Sequence, residues 1–580
     1  MEYVGDGDNA IALWRLMPHT PVARDTAVLI CPPLGSEFVR AYRSLRRLAE
    51  YLCAAGFVVY RPDYFGTGDS GGSILADDCL ERWVTNITTV SKLIADRHPE
   101  LKQCWLGLRL GATLAALAAQ QVAVAELVLL APIVKGRGYV REMEALSRLS
   151  GQEQDAEAGY LESAGFLISQ ATAARIKDIN LTRSYQPVTP GDVLLLDRDD
   201  RPGDSDLAGS WEDAGCKVTV DRIQGYADMM DEPHYGKVPW QTWERINDWL
   251  QQRSATVGSV TLPSVGQPRL QLSVEGAEVE ELPLLFGTDG ALFGVLARPL
   301  NSNPASSTCI VLANSGSVHH VGPNSIYTEI SRRLVSLGYY VLRMDLENLG
   351  DSRVLDPAQE NHPYQSRAVA SVHSAIEFLR QRFGLPAFVV GGLCSGAHTA
   401  FHCGLDLTDL PVKQVMMINP LTFYWHHGMS LKTPDETQVY ADQAHYSQSL
   451  KSLEKWKKLL SGKANVGYIG KFIGQRLLRL VQQCLKDGRS LLLGENTRLA
   501  SDIRAMHARG MDISFVLAST DPGLDIIRSQ AKWTLRRGVM EKWIRLHVID
   551  AADHTFSRKQ ARDRLLAVLA QHFDRVNSNT

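Results

Sequence analysis

The chain lacks the features that mark membrane, secreted and zinc-binding proteins. No stretch approaches the roughly 20 consecutive apolar residues that a membrane-spanning helix needs. The N-terminus, MEYVGDGDNA, is acidic and has none of the regions of a secretory signal peptide. The nine cysteines are scattered singly, and no C-x-x-C pair occurs, which argues against a zinc site and a disulfide framework. We therefore predict a cytoplasmic protein with reduced thiols, no metal and no transmembrane segment.

An excess of charge of one sign is also missing. The 580 residues carry a formal net charge of -3, and 22% of them are charged while 45% are hydrophobic. This balance gives no reason to expect nucleic acid as a partner, and it is ordinary for a globular protein. Because a chain of this length exceeds what one hydrophobic core usually organises, at least two domains are expected.

What the sequence does contain is a repeat with the length of a domain. The matching stretches are TAVLICPPLG (26–35) and TCIVLANSGS (308–317), FVVYRPDYFGTGDSGG (57–72) and YYVLRMDLENLGDSR (339–353), CWLGLRLGATLAAL (104–117) and FVVGGLCSGAHTA (388–400), and AELVLLAPIV (125–134) and VKQVMMINPL (412–421). In both halves short apolar strands alternate with amphipathic helices, which indicates parallel sheets covered by helices. We predict the α/β fold class with two tandem domains, residues 1–253 (the first copy) and 271–580 (the second copy), joined by a linker at 254–270.

The turn after one repeated strand of the second copy carries the reactive residues. In GLCSG (392–396), small residues stand two positions to either side of Cys394, as a sharp strand-to-helix turn requires. With Ser395 at the tip, Leu393 and Ala397 would occupy the glycine positions. The glycine frame therefore favours Cys394 as the nucleophile and gives Ser395 the task of offering its backbone N–H to an oxyanion.

On this motif the second copy resembles the α/β-hydrolase family, in which nucleophile, acid and histidine follow in that order. The strand DISFVLAST leads to Asp521, where that family keeps its acid, and WIRLHVIDAADHTF leads to His554, in the family's histidine setting. The resemblance implies a triad of Cys394, Asp521 and His554. In such a triad the thiol ionises beside the imidazole, and the carboxylate orients the ring.

The loop after the first repeated strand of the second copy should complete this site. Asn314 or Ser315 is expected to offer a second backbone N–H to the oxyanion. His319 and His320 follow in the same loop and are expected at the lip of the site.

The first copy keeps the glycines of the turn but not its reactive residues. GLRLG (107–111) places Arg109 at the tip, and GYADMM (225–230) places Tyr226 at the histidine position, while Asp200 is expected at the acid position. Arginine stays protonated at neutral pH and cannot act as the nucleophile. We predict a degenerate copy in which Arg109 either binds an anion, such as a carboxylate or phosphate, or serves only the fold.

Each copy also carries an insertion after its proline-ended strand, at about residues 135–190 and 421–510. Insertions at this point of an α/β fold usually cover the active site, so both are predicted lids; the alternative is a helical excursion without a role in substrate choice. The second insertion is basic, with Lys451, Lys455, Lys457, Lys458, Lys463, Lys471, Arg476, Arg479, Lys486 and Arg489. This surface would suit an acyl carrier protein or coenzyme A. The alternatives for this basic insertion are a solvated helix and a helix that lies on an anionic membrane surface.

Taken together, these features predict an enzyme that cleaves or transfers an acyl ester or thioester through an acyl-enzyme on Cys394, without a cofactor. One alternative is an acyltransferase or condensing enzyme acting on carrier-protein or coenzyme A thioesters, since cysteine elbows also occur in dienelactone hydrolases and polyhydroxyalkanoate synthases. A second alternative is a non-catalytic pseudo-hydrolase that binds or scaffolds. The tandem pattern is also similar to hydrolases found beside exopolysaccharide-export and exosortase genes.

Overall fold

A computed structural model describes residues 1–18, 23–149, 159–183, 186–189, 191–203, 205–258, 260, 268–426, 428–429, 495 and 497–577. Contacts divide the chain into two compact units. The first unit comprises residues 1–307, 316–365 and 555–580, and the second unit comprises residues 308–315 and 366–554. These limits differ from the boundary expected at 254–270, so the division into domains at that linker stays a prediction. Within the described ranges, we find no helix with the length and apolar character to cross a bilayer.

The strands are β1 (Glu2–Val4), β2 (Ile11–Leu16), β3 (Ala23–Arg24), β4 (Thr26–Cys31), β5 (Val58–Pro62), β6 (Lys102–Leu108), β7 (Glu126–Leu130), β8 (Tyr160–Ser163), β9 (Phe166–Ser169), β10 (Asp192–Arg198), β11 (Lys217–Ile223), β12 (Thr256–Val257), β13 (Leu270–Val274), β14 (Ala277–Phe286), β15 (Leu292–Pro299), β16 (Thr308–Leu312), β17 (Tyr340–Asp345), β18 (Ala387–Leu393), β19 (Val412–Ile418), β20 (Asp512–Ala518) and β21 (Ile544–Ile549). The α-helices are α1 (Ser36–Ala54), α2 (Cys79–Arg97), α3 (Leu110–Ala118), α4 (Gly136–Leu149), α5 (Gln170–Asp178), α6 (Ser205–Asp213), α7 (Tyr226–Met229), α8 (Trp240–Gln251), α9 (Ile326–Ser336), α10 (Ala368–Phe383), α11 (Ser395–Asp406), α12 (Arg498–Ala508), α13 (Gly523–Met540) and α14 (Lys559–Asn577).

The first unit contains a sheet in the order β1-β2-β5-β4-β6-β7-β10-β11. Its first two pairings are antiparallel, and all pairings from β5 to β11 are parallel. The same unit also holds β13, β14, β15 and β17, which pair in that order and antiparallel to one another. The alternation of strands and helices in the sequence therefore folds as the parallel, helix-covered sheet that it predicts.

Strand β4 shows how the sequence sets this layered arrangement. All six of its residues are buried, as expected for a central strand covered on both faces. Successive side chains point to opposite faces. Leu29 packs in the cluster that contains Trp83 of α2, whereas Ile30 packs in the cluster that contains Trp243 of α8.

The second unit contains five parallel strands in the order β16-β18-β19-β20-β21. This order corresponds to that of β4-β6-β7-β10-β11 in the first unit. A single residue, Cys394, separates the end of β18 from the start of helix α11, which packs against β18 and β19. The carboxyl ends of these strands, where ligands bind in open α/β sheets, carry all the residues expected in the triad.

The two predicted lids are described to different extents. The first contains α4, the β8–β9 hairpin and α5, and α4 and α5 pack against each other. Of the second, only residues 421–426, 428–429, 495 and 497–510 are described, and they include α12. The ten basic residues predicted to face a carrier protein or coenzyme A lie outside the described residues.

Candidate active site

Cys394 stands at the tip of a tight turn between β18 and α11. Its backbone adopts φ 60° and ψ -114°, an unfavourable conformation for a residue other than glycine. A Cβ atom on Gly392 would lie 2.7 Å from the backbone of Gly396, so the turn needs glycine there. Cys394 is half-buried, whereas the other seven cysteines in the described part of the chain are buried. The turn thus presents one thiol at the carboxyl end of the strand.

Ser395 is placed differently from its neighbour. It is only 2% exposed, and its hydroxyl donates a hydrogen bond of 3.4 Å to the carbonyl oxygen of Asn314. Asn314 and Ser315 are themselves buried in the loop after β16. Because Ser395 is the first residue of α11, its backbone N–H belongs to the helix terminus, where anions are favoured.

His554 and Asp521 form a close pair at the ends of neighbouring strands. Nδ1 of His554 lies 2.5 Å from Oδ2 of Asp521, whose other carboxylate oxygen accepts a 3.0 Å hydrogen bond from the backbone N–H of Gly523. The Asp521 side chain is almost fully buried. A carboxylate so held orients the imidazole and fixes which of its nitrogens carries the proton.

The charge of the imidazole depends on both Asp521 and Cys394. Burial disfavours the imidazolium, but Cys394 and the hydrogen bond to Asp521 outweigh burial and raise the pKa of His554 well above its usual value. The ring is 31% exposed, although Nε2 itself is buried. No described group reaches Nε2 with hydrogen-bond geometry, so Cys394 acts on the ring chiefly through its charge. The nitrogen that a base would use thus faces no competing partner among the described residues.

Asn419 holds the histidine loop and the acid strand together, and its role was not predicted. This fully buried residue follows β19 with φ 44°. Its Nδ2 donates to the carbonyl oxygen of His554 at 2.8 Å, and its Oδ1 accepts from the backbone N–H of Ala518 at 2.8 Å. The signal in the sequence is a polar residue directly after an apolar strand, and the first copy has Ala131 at the matching place.

Arg109 occupies the corresponding turn in the first copy with nearly the same backbone conformation, φ 54° and ψ -122°. Its Nε lies 2.6 Å from a carboxylate oxygen of Glu37, and a second nitrogen lies 3.6 Å from Glu142 on α4. Burial opposes the charge of Arg109, but Glu37 more than compensates and raises its pKa. Because these carboxylates already neutralise the guanidinium, the structure gives no support to the predicted anion site.

The acid position of the first copy is not Asp200. The carbonyl oxygen of Leu196 accepts a hydrogen bond from the N–H of Ala131, the residue that follows β7. The carbonyl oxygen of Val516 accepts one in the same way from the N–H of Asn419, the residue that follows β19. Leu196 and Val516 are therefore equivalent, and five residues further on Arg201 matches Asp521. The expectation for Asp200 is wrong because hydrogen-bond register, rather than residue type, determines equivalence.

The surroundings of Tyr226 describe the predicted histidine position of the first copy. Tyr226 is buried, and its ring lies 4.2 Å from the guanidinium of Arg198. Burial raises the pKa of Tyr226 to about 12, although the charge of Arg109 opposes the shift. The expectation that Tyr226 stands where the second copy has His554 stays a prediction.

His319 and His320 are buried rather than exposed at a lip, so that expectation is wrong. Within the described residues, the ligand atoms of His320, Asp345 and Asp351 lie close enough to hold a metal ion. However, His320 already donates to Asp345, and Asp351 already pairs with Arg61. Cationic side chains therefore occupy the oxygen atoms that a metal would need.

The sheet order, the turn at Cys394 and a family match together define an α/β-hydrolase fold. Residues 25–156 match the family model described as serine aminopeptidase, S33. This segment runs from before β4 into α4 and beyond, and it includes the turn at Arg109. A search of curated proteins found no match to this chain.

Solved structures that resemble the chain include several α/β hydrolases. Ferulic-acid-bound Est1E from Butyrivibrio proteoclasticus is 19% identical, covers 43% of this chain and 98% of its own, and gives a TM-score of 0.34. Mouse alpha/beta hydrolase domain-containing protein 10 is also 19% identical over 43% and 98%, with a TM-score of 0.30. A thermostable carboxyl esterase from Bacillus coagulans is 13% identical over 43% and 98%, with a TM-score of 0.32.

Proposed function

We propose that the protein hydrolyses acyl esters or thioesters through an acyl-enzyme on Cys394. The observation that carries this proposal is the presence of a half-buried thiol at a strained turn beside the His554–Asp521 pair. Strain in the backbone, a charged imidazole and a buried orienting carboxylate occur together where a nucleophile is activated.

The reaction would proceed in two halves. The thiol proton of Cys394 passes to Nε2 of His554, and the resulting thiolate attacks the acyl carbon. Backbone N–H groups of Ser395 and of the Asn314–Ser315 loop stabilise the oxyanion. Collapse of the tetrahedral intermediate expels the alcohol or thiol, which receives the proton from His554. Water then attacks the thioester, His554 accepts its proton, and the carboxylic acid leaves as the thiol is restored.

Transfer to another acceptor is the second candidate. A thioester intermediate is attacked by amines and thiols as well as by water, so an acyltransferase or condensing enzyme would use the same residues. The basic insertion at 421–510 motivates a carrier-protein or coenzyme A acceptor. The third candidate, a pseudo-hydrolase that only binds, would require Cys394 to be inert.

The repeated strand order supports a further part of the proposal, a tandem duplication with one degenerate copy. Five parallel strands have the same order in each unit, and both GDS turns (68–70 and 350–352) have the same hydrogen bonds. Of the two turns after the nucleophile strand, only that of Cys394 would form an acyl-enzyme.

Intact-mass spectrometry after exposure to a panel of acyl thioesters tests the proposal. The wild type should gain one acyl group, which Cys394→Ala should not acquire. Cys403→Ala is the matched control, because burial raises the pKa of Cys403 and removes it from reaction. Ser395→Ala should still form the adduct on Cys394. An adduct on Cys394→Ala equal to that of the wild type would refute the assignment.

The fate of the adduct distinguishes the candidates. Loss of the acyl group in buffer alone supports hydrolysis, whereas loss only after addition of an amine or of pantetheine supports transfer. The binding-only candidate is tested with iodoacetamide at about pH 6.5, where an activated thiolate reacts before ordinary thiols do. If no cysteine reacts ahead of the others, the acyl-enzyme proposal fails.

A further inference from the structure

His554 lies on a short loop that leaves the sheet of the second unit after β21. Strands β20 and β21 stay paired up to their last residues, and beyond them the backbone N–H of Ser519 donates to the carbonyl oxygen of Ile549 at 2.9 Å. His554 stands five residues after Ile549. The position of the imidazole therefore depends on the contacts that hold these five residues in place.

This histidine loop contains a strained residue. Ala551 has φ 53°, a conformation that residues other than glycine adopt only at a cost in free energy. The residue that follows it, Ala552, is only 1% exposed. A strained backbone persists only where the surrounding structure fixes it. The loop therefore needs partners outside itself.

Thr520 is one of these partners. Its Oγ1 donates to the carbonyl oxygen of Ala552 at 2.6 Å, which is short for a hydrogen bond between a hydroxyl and a carbonyl oxygen. Because Thr520 directly precedes Asp521, it ties the histidine loop to the turn that carries the orienting carboxylate. Asn419 holds the same loop at a second point, the carbonyl oxygen of His554. Two contacts, two residues apart, thus fix the backbone from which the imidazole projects.

The first copy has no hydroxyl at the place of Thr520. By the strand register of the two copies, Asp200 matches Thr520. The carboxylate of Asp200 pairs with Arg198 at 2.6 Å. An ionised carboxylate accepts hydrogen bonds but cannot donate one. At this position, therefore, a side chain that can donate occurs in the copy with the reactive thiol and not in the other.

We propose that Thr520 is a positioning residue for His554, acting through the carbonyl oxygen of Ala552. This inference rests on the proposed function. Loss of the hydroxyl releases the histidine loop at one of its two points of attachment. Nε2 of His554 then lies less often where it can take the proton of Cys394, and proton transfer becomes slower.

The test compares Thr520→Val with Thr520→Ser. Valine keeps the shape of threonine without its hydroxyl, whereas serine keeps the hydroxyl, and neither change creates a cavity because Thr520 is exposed. The rate constant for acylation of Cys394 at saturating acyl thioester should fall about fivefold in Thr520→Val, the factor expected for one lost hydrogen bond. Thr520→Ser should restore most of the rate, and the thioester concentration at half-maximal rate should stay unchanged.

Thr534→Val is the matched control. Thr534 lies on α13 and accepts a hydrogen bond of 2.9 Å from Arg504 on α12. This variant therefore also exchanges threonine for valine and loses a hydrogen bond, but not one to the histidine loop. It should be acylated at the wild-type rate.

The pH dependence of alkylation separates a positioning role from a structural one. Iodoacetamide reacts with the thiolate of Cys394, and a displaced imidazolium stabilises that thiolate less. The pH midpoint of alkylation should therefore be higher in Thr520→Val than in the wild type and unchanged in Thr520→Ser. Acylation of Thr520→Val at the wild-type rate, an unchanged midpoint, or a serine variant as slow as the valine variant would overturn the inference. If the wild type is alkylated but not acylated, the proposed function fails instead, and the midpoint still reports on Thr520.

Discussion

The buried imidazolium of His320 makes the stability of the protein depend on pH in a way that can be calculated. Its Nε2 donates to Asp69 at 2.7 Å and its Nδ1 donates to Asp345 at 2.8 Å, so the ring carries both protons. Burial opposes its charge, but Asp69 and Asp345 outweigh burial and raise the pKa of His320 to about 10. An unfolded histidine has a pKa of about 6.5. The stabilisation is therefore complete below about pH 6.5 and is lost as the pH rises through about 10.

The size of the effect follows from this difference. Between pH 6.5 and about 8.5 the unfolded chain releases the proton while the folded chain keeps it, which costs about 1.4 kcal/mol per pH unit once release is complete. Because the unfolded histidine is still half protonated at the start, the free energy of unfolding should fall by about 2 kcal/mol over this interval. That is a substantial part of the 5–15 kcal/mol typical of folded proteins.

Urea unfolding followed by tryptophan fluorescence measures this loss. Other groups also titrate in the interval, so the relevant quantity is the change in the wild type minus the change in His320→Gln. His373→Gln is the control, because the side chain of His373 is 35% exposed on α10, where solvent screens its charge. Equal pH slopes in the wild type and His320→Gln would refute a doubly protonated, doubly paired His320.

Three further outcomes test other parts of the structure. Arg109→Ala should lower the free energy of unfolding by about 3 kcal/mol in urea titrations, because Glu37 loses its buried partner. The acyl adduct on Cys394 should form as before. An unchanged unfolding midpoint would contradict the buried pair. Asn419→Ala should slow acylation of Cys394 about tenfold and move the pH midpoint of that rate, since two hydrogen bonds that position the imidazole are lost. A lower rate with an unchanged pH midpoint would indicate a structural role only. Asp521→Asn should reduce steady-state thioester turnover by about 10⁴ because the ring loses its orienting carboxylate, and turnover near the wild-type rate would exclude Asp521 from the site.

Much of the architecture could be predicted because it depends on local periodicity. Apolar strands such as β4 and the alternation with helices predict a helix-covered parallel sheet, and the fold agrees. The turn at Cys394 was likewise visible, because only glycine fits at Gly392. The ends of two predicted strands indicated Asp521 and His554, and the fold places Oδ2 of Asp521 2.5 Å from Nδ1 of His554.

The errors concern residues whose equivalence or environment depends on pairing across the sheet. Asp200 was matched by residue type, but strand register places Arg201 at that position. Register is set by hydrogen bonds between strands that are distant in sequence, and a short motif carries no information about it.

The sequence by itself determined the α/β class, the repeated strand order and the turn that presents Cys394, because each depends on side-chain period or on the steric needs of a few adjacent residues. Only the tertiary structure decided that Arg109 is neutralised by Glu37 and that His320 is enclosed by carboxylates of both copies. A charged side chain can be buried only where the fold also places a partner of opposite charge beside it. Asp69, a partner of His320, stands 251 positions away in the chain.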